Sequence, residues 1–208
     1  MFAPRTGAPL AVGAALLLLW GSLTAVGLLP HAAAVDLLIA AAGAIWAFLL
    51  WFFRDPTRPV GAEIVSGADG RVLAVEANAE HLWIRVFMGV TDVHVNRFPL
   101  SAKVITVSDG GRGFAPAYAP SAEGNVQRGY RLETMIGEVE VRQFTGIVAR
   151  RLVSFVQAGE VHAKGDRLGM IVLGSRLDVR LPADRVVALV NVGDVVRAGV
   201  TPIAREKT

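Results

Sequence analysis

Two long apolar stretches without charge open the sequence, and they constrain everything that follows. Residues 6–35 contain no Asp, Glu, Lys or Arg, and after Asp36 a second uncharged run, residues 37–53, is rich in Leu, Ala, Ile, Trp and Phe. A helix needs about 20 apolar residues to cross the hydrocarbon core of a bilayer. Residues 9–29 reach that length, and so do residues 32–53 with Asp36 at the interface. Pro30 and His31 supply a turn between them, and Trp20, Trp46, Trp51, Phe52 and Phe53 are available as interfacial aromatics. Arg5 flanks the pair on one side, Arg54 and Arg58 on the other, and the turn carries no positive charge. By the positive-inside tendency both ends face the cytoplasm. A signal peptide would show one short apolar core and a cleavage site rather than two runs. A single span, a half-inserted hairpin or a buried core hairpin are the other readings of the same residues. We expect residues 1–53 to form a membrane anchor of two apolar helices and residues 54–208 to form a separate domain on the cytoplasmic face of the cell membrane.

After the polar connector Arg54-Asp55-Pro56-Thr57-Arg58-Pro59 the character changes. Short apolar runs rich in Val and Ile alternate with Gly, Asp and Asn: residues 71–75, 82–88, 103–107, 138–144, 152–156, 170–173, 177–181 and 186–190. No sustained helical period appears, so the expectation is a mainly β domain, a sandwich or barrel. A short echo points to pseudo-symmetry. Gly159-Glu160-Val161 is followed by Gly165, and Gly193-Asp194-Val195 by Gly199 at the same spacing. That pattern suits a pseudo-symmetric β-sandwich or hybrid barrel of the kind that carries lipoyl or biotinyl groups. Residues 111–116 and 120–131 read as long loops, which in a compact domain are often functional.

The chain has no cysteine, which excludes disulfides, thiolate metal sites and cysteine nucleophiles. Its net charge of +3 is mild and not gathered into a basic stripe with aromatic platforms, so nucleic acid is not an expected partner. A mild positive balance suits an anionic membrane surface. No metal site is expected.

Chemistry points to one dipeptide. Gly174-Ser175 lies between two apolar runs, 170–173 and 177–181, where a glycine allows a kinked backbone. A lone Gly-Ser pair is uninformative, but its flanks are specific. The segment Gly165 to Val179 resembles the self-processing segment of the short-form phosphatidylserine decarboxylases. The same resemblance holds for Phe53-Arg54-Asp55-Pro56-Thr57-Arg58, Ala68-Asp69-Gly70-Arg71-Val72, Asp92-Val93-His94-Val95-Asn96-Arg97 and Gln143-Phe144-Thr145-Gly146-Ile147-Val148-Ala149-Arg150-Arg151. Five separated blocks in the right order span residues 53 to 182.

The resemblance implies a carboxy-lyase that converts phosphatidylserine to phosphatidylethanolamine in phospholipid biosynthesis. It implies autocatalytic serinolysis at Gly174-Ser175. Ser175 would become a covalent pyruvoyl cofactor, and residues 1–174 and 175–208 would remain together as a large and a small chain. It assigns Ser175, His94 and Asp69 as catalytic, with Asp69 orienting the imidazole. It leaves open whether His94 is the processing base, a substrate contact or both. Long-form relatives carry a second histidine three residues later, and here that position is Arg97. Arg97, Arg150 and Arg151 are the candidates for the substrate phosphate or carboxylate. From spacing alone Asp69-Gly70 is a plain turn, and Arg150 and Arg151 are a solvated strand end. Two rival functions share these residues. One is a membrane-tethered, non-catalytic hybrid-barrel scaffold; the other is a pyruvoyl decarboxylase acting on a different serine-headgroup lipid. Further oligomerisation stays open.

Overall fold

The computed structural model describes residues 2–4, 6–27, 33–147, 151–172 and 175–207. The chain divides into two compact units, Met1–Pro56 and Thr57–Thr208.

The first unit holds two helices, α1 (Gly7–Ala25) and α2 (Ala33–Phe52). Asp36 falls in the first turn of α2, where a carboxylate meets the positive end of the helix dipole. Trp46 Nε1 donates to Leu10 O at 2.9 Å, and a Cβ at Gly13 would come within 2.8 Å of the Trp46 ring. Glycine at that position lets the helices approach. Residues Val35–Phe52 form a helix long and apolar enough to cross a membrane, and the apolar helical segment Leu10–Ala25 is shorter. Leu37, Leu38 and Ile45 are exposed, so this apolar surface is not consumed as a protein core. The Pro30-His31 turn and Arg5 lie outside the described residues.

The second unit is mainly β. Its strands are β1 (Ile64–Val65), β2 (Gly70–Ala77), β3 (His81–Met88), β4 (Val95–Arg97), β5 (Ala102–Gly110), β6 (Gln127–Thr134), β7 (Gly137–Thr145), β8 (Arg151–Ser154), β9 (Val161–His162), β10 (Arg167–Val172), β11 (Ser175–Pro182), β12 (Val186–Ala188), β13 (Val195–Val196) and β14 (Pro202–Glu206). Among the described residues their ladders are antiparallel and form three sheets: β1-β14-β12, β4-β10-β8, and an eight-stranded sheet β13-β2-β3-β11-β7-β6-β5-β9. The ladders define no closed barrel. Strand β11 sits inside the large sheet, hydrogen-bonded to β3 on one side and β7 on the other. Its alternate residues Leu177, Val179 and Leu181 are fully buried with Ile84, Val86, Val139 and Val141, as the two-residue period of a strand requires.

The sequence echo is real in three dimensions. Gly159 and Gly193 have φ of 94° and 96°, and Gly165 and Gly199 have φ of 86° and 75°. Gly159 N donates to Val104 O and Gly193 N to Val72 O; Val104 N returns a bond to Glu160 O and Val72 N to Asp194 O. The two-residue strands that follow, β9 and β13, close the two opposite edges of the large sheet. Even the β-bulges correspond, at Val72/Ala74 in β2 and Val104/Thr106 in β5. Each half thus repeats one turn, one edge strand and one bulge, which twists both edges alike.

One expectation needs correction. Residues 120–131 are not one long loop. Pro120–Gly124 forms a short 3-10 turn, and β6 begins at Gln127. Its polar face hid the strand: Tyr130 and Leu132 point into the core while Arg131 and Glu133 face out.

Candidate active site

Ser175 is the first residue of β11 and is fully buried. Its cross-strand partners are Met88 on β3 and Thr145 on β7, so the three side chains share the inner face. Ser175 Oγ donates to Met88 Sδ at 3.4 Å. A thioether is a weak acceptor, and a buried hydroxyl without a strong partner costs about 1–3 kcal/mol. Serine is therefore a poor structural choice here, and among the described residues its hydroxyl is not committed to a strong hydrogen bond.

Behind Met88 runs a buried polar chain that sequence reasoning did not single out. Asn96 Nδ2 donates to Met88 Sδ at 3.5 Å, Gln143 Nε2 donates to Asn96 Oδ1 at 2.7 Å, and Tyr130 Oη donates to Gln143 Oε1 at 3.1 Å. All three residues are fully buried. Burial pushes the Tyr130 phenol upward, which keeps it protonated as the donor. Gly169 makes room, because a Cβ there would lie 2.6 Å from Val153 O and 2.9 Å from Tyr130 Oη. The available signal was that Asn96 and Gln143 both sit in the quoted sequence blocks.

His94 precedes β4 and is 1% exposed. Its Nδ1 lies 2.9 Å from Asp92 O. A carbonyl can only accept, so Nδ1 carries the proton and Nε2 is the basic nitrogen of the neutral ring. Its backbone oxygen accepts from Ile171 N at 3.2 Å, and β4 pairs with β10 through Val95↔Met170 and Asn96↔Gly169. Strand β10 ends at Val172, three residues before Ser175. Met88 touches both Ser175 and Asn96, and Asn96 lies two residues from His94 along an extended segment.

Asp69 is held by Arg58 and by a backbone amide. Arg58 Nη2 donates to Asp69 Oδ2 at 2.7 Å, Arg58 Nη1 donates to Oδ1, and Ala198 N donates to the same Oδ1 at 2.8 Å. These contacts occupy both carboxylate oxygens, and His94 is not among them. A backbone link does reach the histidine segment: Arg97 N donates to Gly67 O at 2.9 Å, two residues before Asp69. Arg97 itself uses Nη1 to hold Gly165 O at 2.9 Å, which steadies one of the positive-φ turns.

Arg151 opens β8 and is exposed. Together with Arg112, Arg128 and Asp109 it lines an open cleft of about 750 Å³. Asp109 and Arg128 form a bidentate pair that holds the Asp109 carboxyl below the usual range. Val126 belongs to the cleft wall, and its carbonyl accepts from both the amide and the hydroxyl of Thr145, the cross-strand partner of Ser175. The cleft therefore begins one strand pair away from Ser175. Gly174 and Arg150 lie outside the described residues.

Comparison with known proteins converges on one family. The family model described as phosphatidylserine decarboxylase matches residues 45–204. A Streptomyces avermitilis protein named phosphatidylserine decarboxylase proenzyme is 40% identical over 167 residues, covering 79% of this chain and 77% of its own. Two archaeal proteins carry the name "Putative archaetidylserine decarboxylase proenzyme". The one from Methanococcoides burtonii is 40% identical over 163 residues, covering 77% of this chain and 76% of its own. The one from Halobacterium salinarum is 43% identical over 166 residues, covering 78% and 83%.

Proposed function

The chain belongs to the phosphatidylserine decarboxylase family, and from that premise we propose a membrane-associated carboxy-lyase that matures by cutting itself at Gly174-Ser175. Its reaction is the decarboxylation of phosphatidylserine to phosphatidylethanolamine. The observation that carries the processing step is Ser175: fully buried, at the head of a strand inside the main sheet, with a thioether as the acceptor of its hydroxyl among the described residues.

A serine hydroxyl needs a base to become a nucleophile. His94 Nε2 takes the Ser175 Oγ proton, and Oγ attacks the carbonyl carbon of Gly174. The amide C–N bond breaks, the leaving nitrogen receives the proton, and an ester replaces the amide. Removal of the Ser175 Cα proton then breaks the Cβ–Oγ bond, leaving Gly174 as a carboxylate and residue 175 as a dehydroalanine. Tautomerisation and addition of water release ammonia and leave a ketone in place of the amine. The residues fit a pyruvoyl group for the same reason they make a poor structural serine: on the inner face beside Met88 and Thr145, the acceptor of the Ser175 hydroxyl among the described residues is a thioether. A pyruvoyl group supplies the ketone that captures the substrate amine and takes up the electron pair left when carbon dioxide departs. His94 then returns a proton to the substrate carbon, and its Nδ1 bond to Asp92 O keeps the ring oriented.

Asp69 acts through its turn. Gripped by Arg58 and by the Ala198 amide, it fixes the Gly67 carbonyl that pins the backbone of Arg97, and thereby the histidine segment. Arg151 is the stronger candidate for the lipid phosphate, because it is exposed on a cleft whose wall includes Val126, the hydrogen-bond partner of Thr145. Arg97 already holds the Gly165 carbonyl, and Arg150 is its companion candidate by position. Helix α2 ties the enzyme to the bilayer that contains its substrate, with the domain on the cytoplasmic side. Archaetidylserine shares the serine headgroup, so the same steps apply to it; diacyl and diether lipids compared side by side decide between the two.

Intact mass tests the proposal. Purified protein should appear as two chains, the smaller beginning at residue 175 with a pyruvoyl mass at its blocked end. A single uncut chain with full decarboxylase activity would falsify it.

A further inference from the structure

Residue 175 faces inward, so residue 176 must face the opposite side of the sheet. A charged residue on that side would ordinarily reach water. Arg176 is instead 3% exposed. Its guanidinium lies 4.3 Å from the ring centroid of Phe144, its own cross-strand neighbour on β7. Nε and Nη2 donate to the two carboxylate oxygens of Asp178 at 2.8 and 3.0 Å, and Nη2 also donates to Glu123 Oε1 at 2.7 Å. Arg85 on β3 stands 3.5 Å from Asp178. The segment that covers this cluster is the 3-10 turn Pro120–Gly124 with Tyr118, whose ring meets Phe87 edge-on at 5.9 Å.

This arrangement is not explained by stability. Burying a carboxylate and a guanidinium costs several kcal/mol of hydration, and apolar residues of similar volume usually serve a fold as well or better. What a bidentate, ring-stacked guanidinium supplies is a fixed position. A fixed position is needed at residue 176 for a specific reason. Once the bond between Gly174 and Ser175 is cut, residue 175 is a chain end whose one remaining covalent backbone link is to the amide nitrogen of Arg176. Strand ends fray, and a displacement of about 1 Å at a reacting group can lower a rate a hundredfold.

We infer that Arg176, clamped by Phe144, Asp178 and Glu123, is a positioning residue that holds the pyruvoyl-bearing end of the small chain in register after the backbone is cut. The inference rests on the self-cleavage proposed above and adds to it the device that keeps the product of cleavage usable.

The test uses full-length protein in detergent, with Arg176→Leu and Arg176→Lys made in the wild-type chain and in an uncut Ser175→Ala background. Turnover is scored per pyruvoyl group, from the mass of the small chain, and amide exchange is followed over residues 177–180. In the cut protein Arg176→Leu should lower kcat about tenfold with KM within about twofold, and speed exchange over those residues. In the uncut background, where the chain is continuous, the exchange should barely change. Arg176→Lys keeps the charge but not the fork, and should recover part of kcat. Wild-type kcat in cut Arg176→Leu overturns the inference, and so does an equal rise in exchange in the uncut background, which marks a general structural role. Should Arg176→Leu fail to fold, Glu123→Gln decides. It removes one charged acceptor and leaves the Asp178 pair; unchanged kcat and unchanged exchange in that variant also overturn the inference. An uncut wild-type chain would remove the parent reading first, and is seen before any variant is made.

Discussion

Arg58 closes both terminal guanidinium nitrogens on the carboxylate of Asp69, joining the proline-containing connector to the turn from which β2 starts. Both side chains are largely buried, at 15% and 11% exposure, so the pair is screened little by solvent. Arg58→Ala and Asp69→Ala should each destabilise the protein by roughly 2–4 kcal/mol. The double variant should cost clearly less than the sum of the two, a coupling of about 1–3 kcal/mol. Denaturant unfolding of the four proteins in one detergent measures it. Additive losses would show that the two residues act independently.

Ser175→Ala should leave one chain of 22.1 kDa with no decarboxylase activity. Among the described residues the removed hydroxyl has a thioether for its acceptor, so stability should not fall and should rise by up to about 1–3 kcal/mol. Intact mass and a melting curve on the same sample read both outcomes. Continued chain cleavage in this variant is incompatible with Ser175 as the nucleophile.

His94→Gln keeps much of the shape of a buried side chain and removes the basic nitrogen. Processing should slow by about 100-fold or more, in the range general-base catalysis contributes. Material that does become cut should turn over more slowly as well. Time courses of cleavage, followed by assays on the cut fraction, separate the two roles. Normal rates in both would take His94 out of the site.

Gln143→Leu breaks the chain between Tyr130 and Asn96, leaving two buried polar groups without their partner. A loss of about 2–4 kcal/mol is expected, since each unpaired buried group costs about 1–3 kcal/mol. Chemical unfolding reads it directly, and a neutral result would mean that water or rearrangement satisfies both groups.

Asp178 gives a pH signature. Burial raises its carboxyl to about 6, against the opposing pull of Arg176 and Arg85. The groups facing it are Arg176 on its own strand, Arg85 on β3, Arg142 on β7 and Glu123 in the covering turn. A folded-state value above the unfolded one means that the native state binds the proton more readily. This group's stabilising contribution is complete below about pH 4 and is lost as pH rises through about 6. Activity should run the other way, because protonation takes one charged acceptor from Arg176. The Asp178 contributions to stability and to kcat between pH 4 and 7, read as the difference between wild type and Asp178→Asn, should therefore trend oppositely.

Much of this fold could be read from local pattern. The Val- and Ile-rich runs marked β2, β3, β5, β7 and β11, because alternation and β-branching are properties of neighbours in sequence. The glycine echo gave the pseudo-symmetry because a positive φ is a local demand. Non-local relations stayed hidden. Nothing in a proline-containing connector announces that Arg58 will meet Asp69, and nothing in Gln143 announces Asn96, 47 positions away. Nothing in Arg176 and Asp178 announces their burial, which depends on a turn that starts more than fifty residues earlier. Ser175 was identified through family resemblance; its shortage of a strong acceptor became visible only once Met88 was placed beside it.

The central position of β11 has a further consequence for how the mature protein comes apart. Residues 175–208 supply an interior strand to the large sheet, an edge strand in β13, and two strands of the small sheet that contains β1. The two polypeptides of the processed enzyme would be interleaved like the fingers of clasped hands. Neither could be withdrawn without dissolving the hydrophobic interior of the other, so reassembly from separated chains should be a refolding problem rather than a docking one.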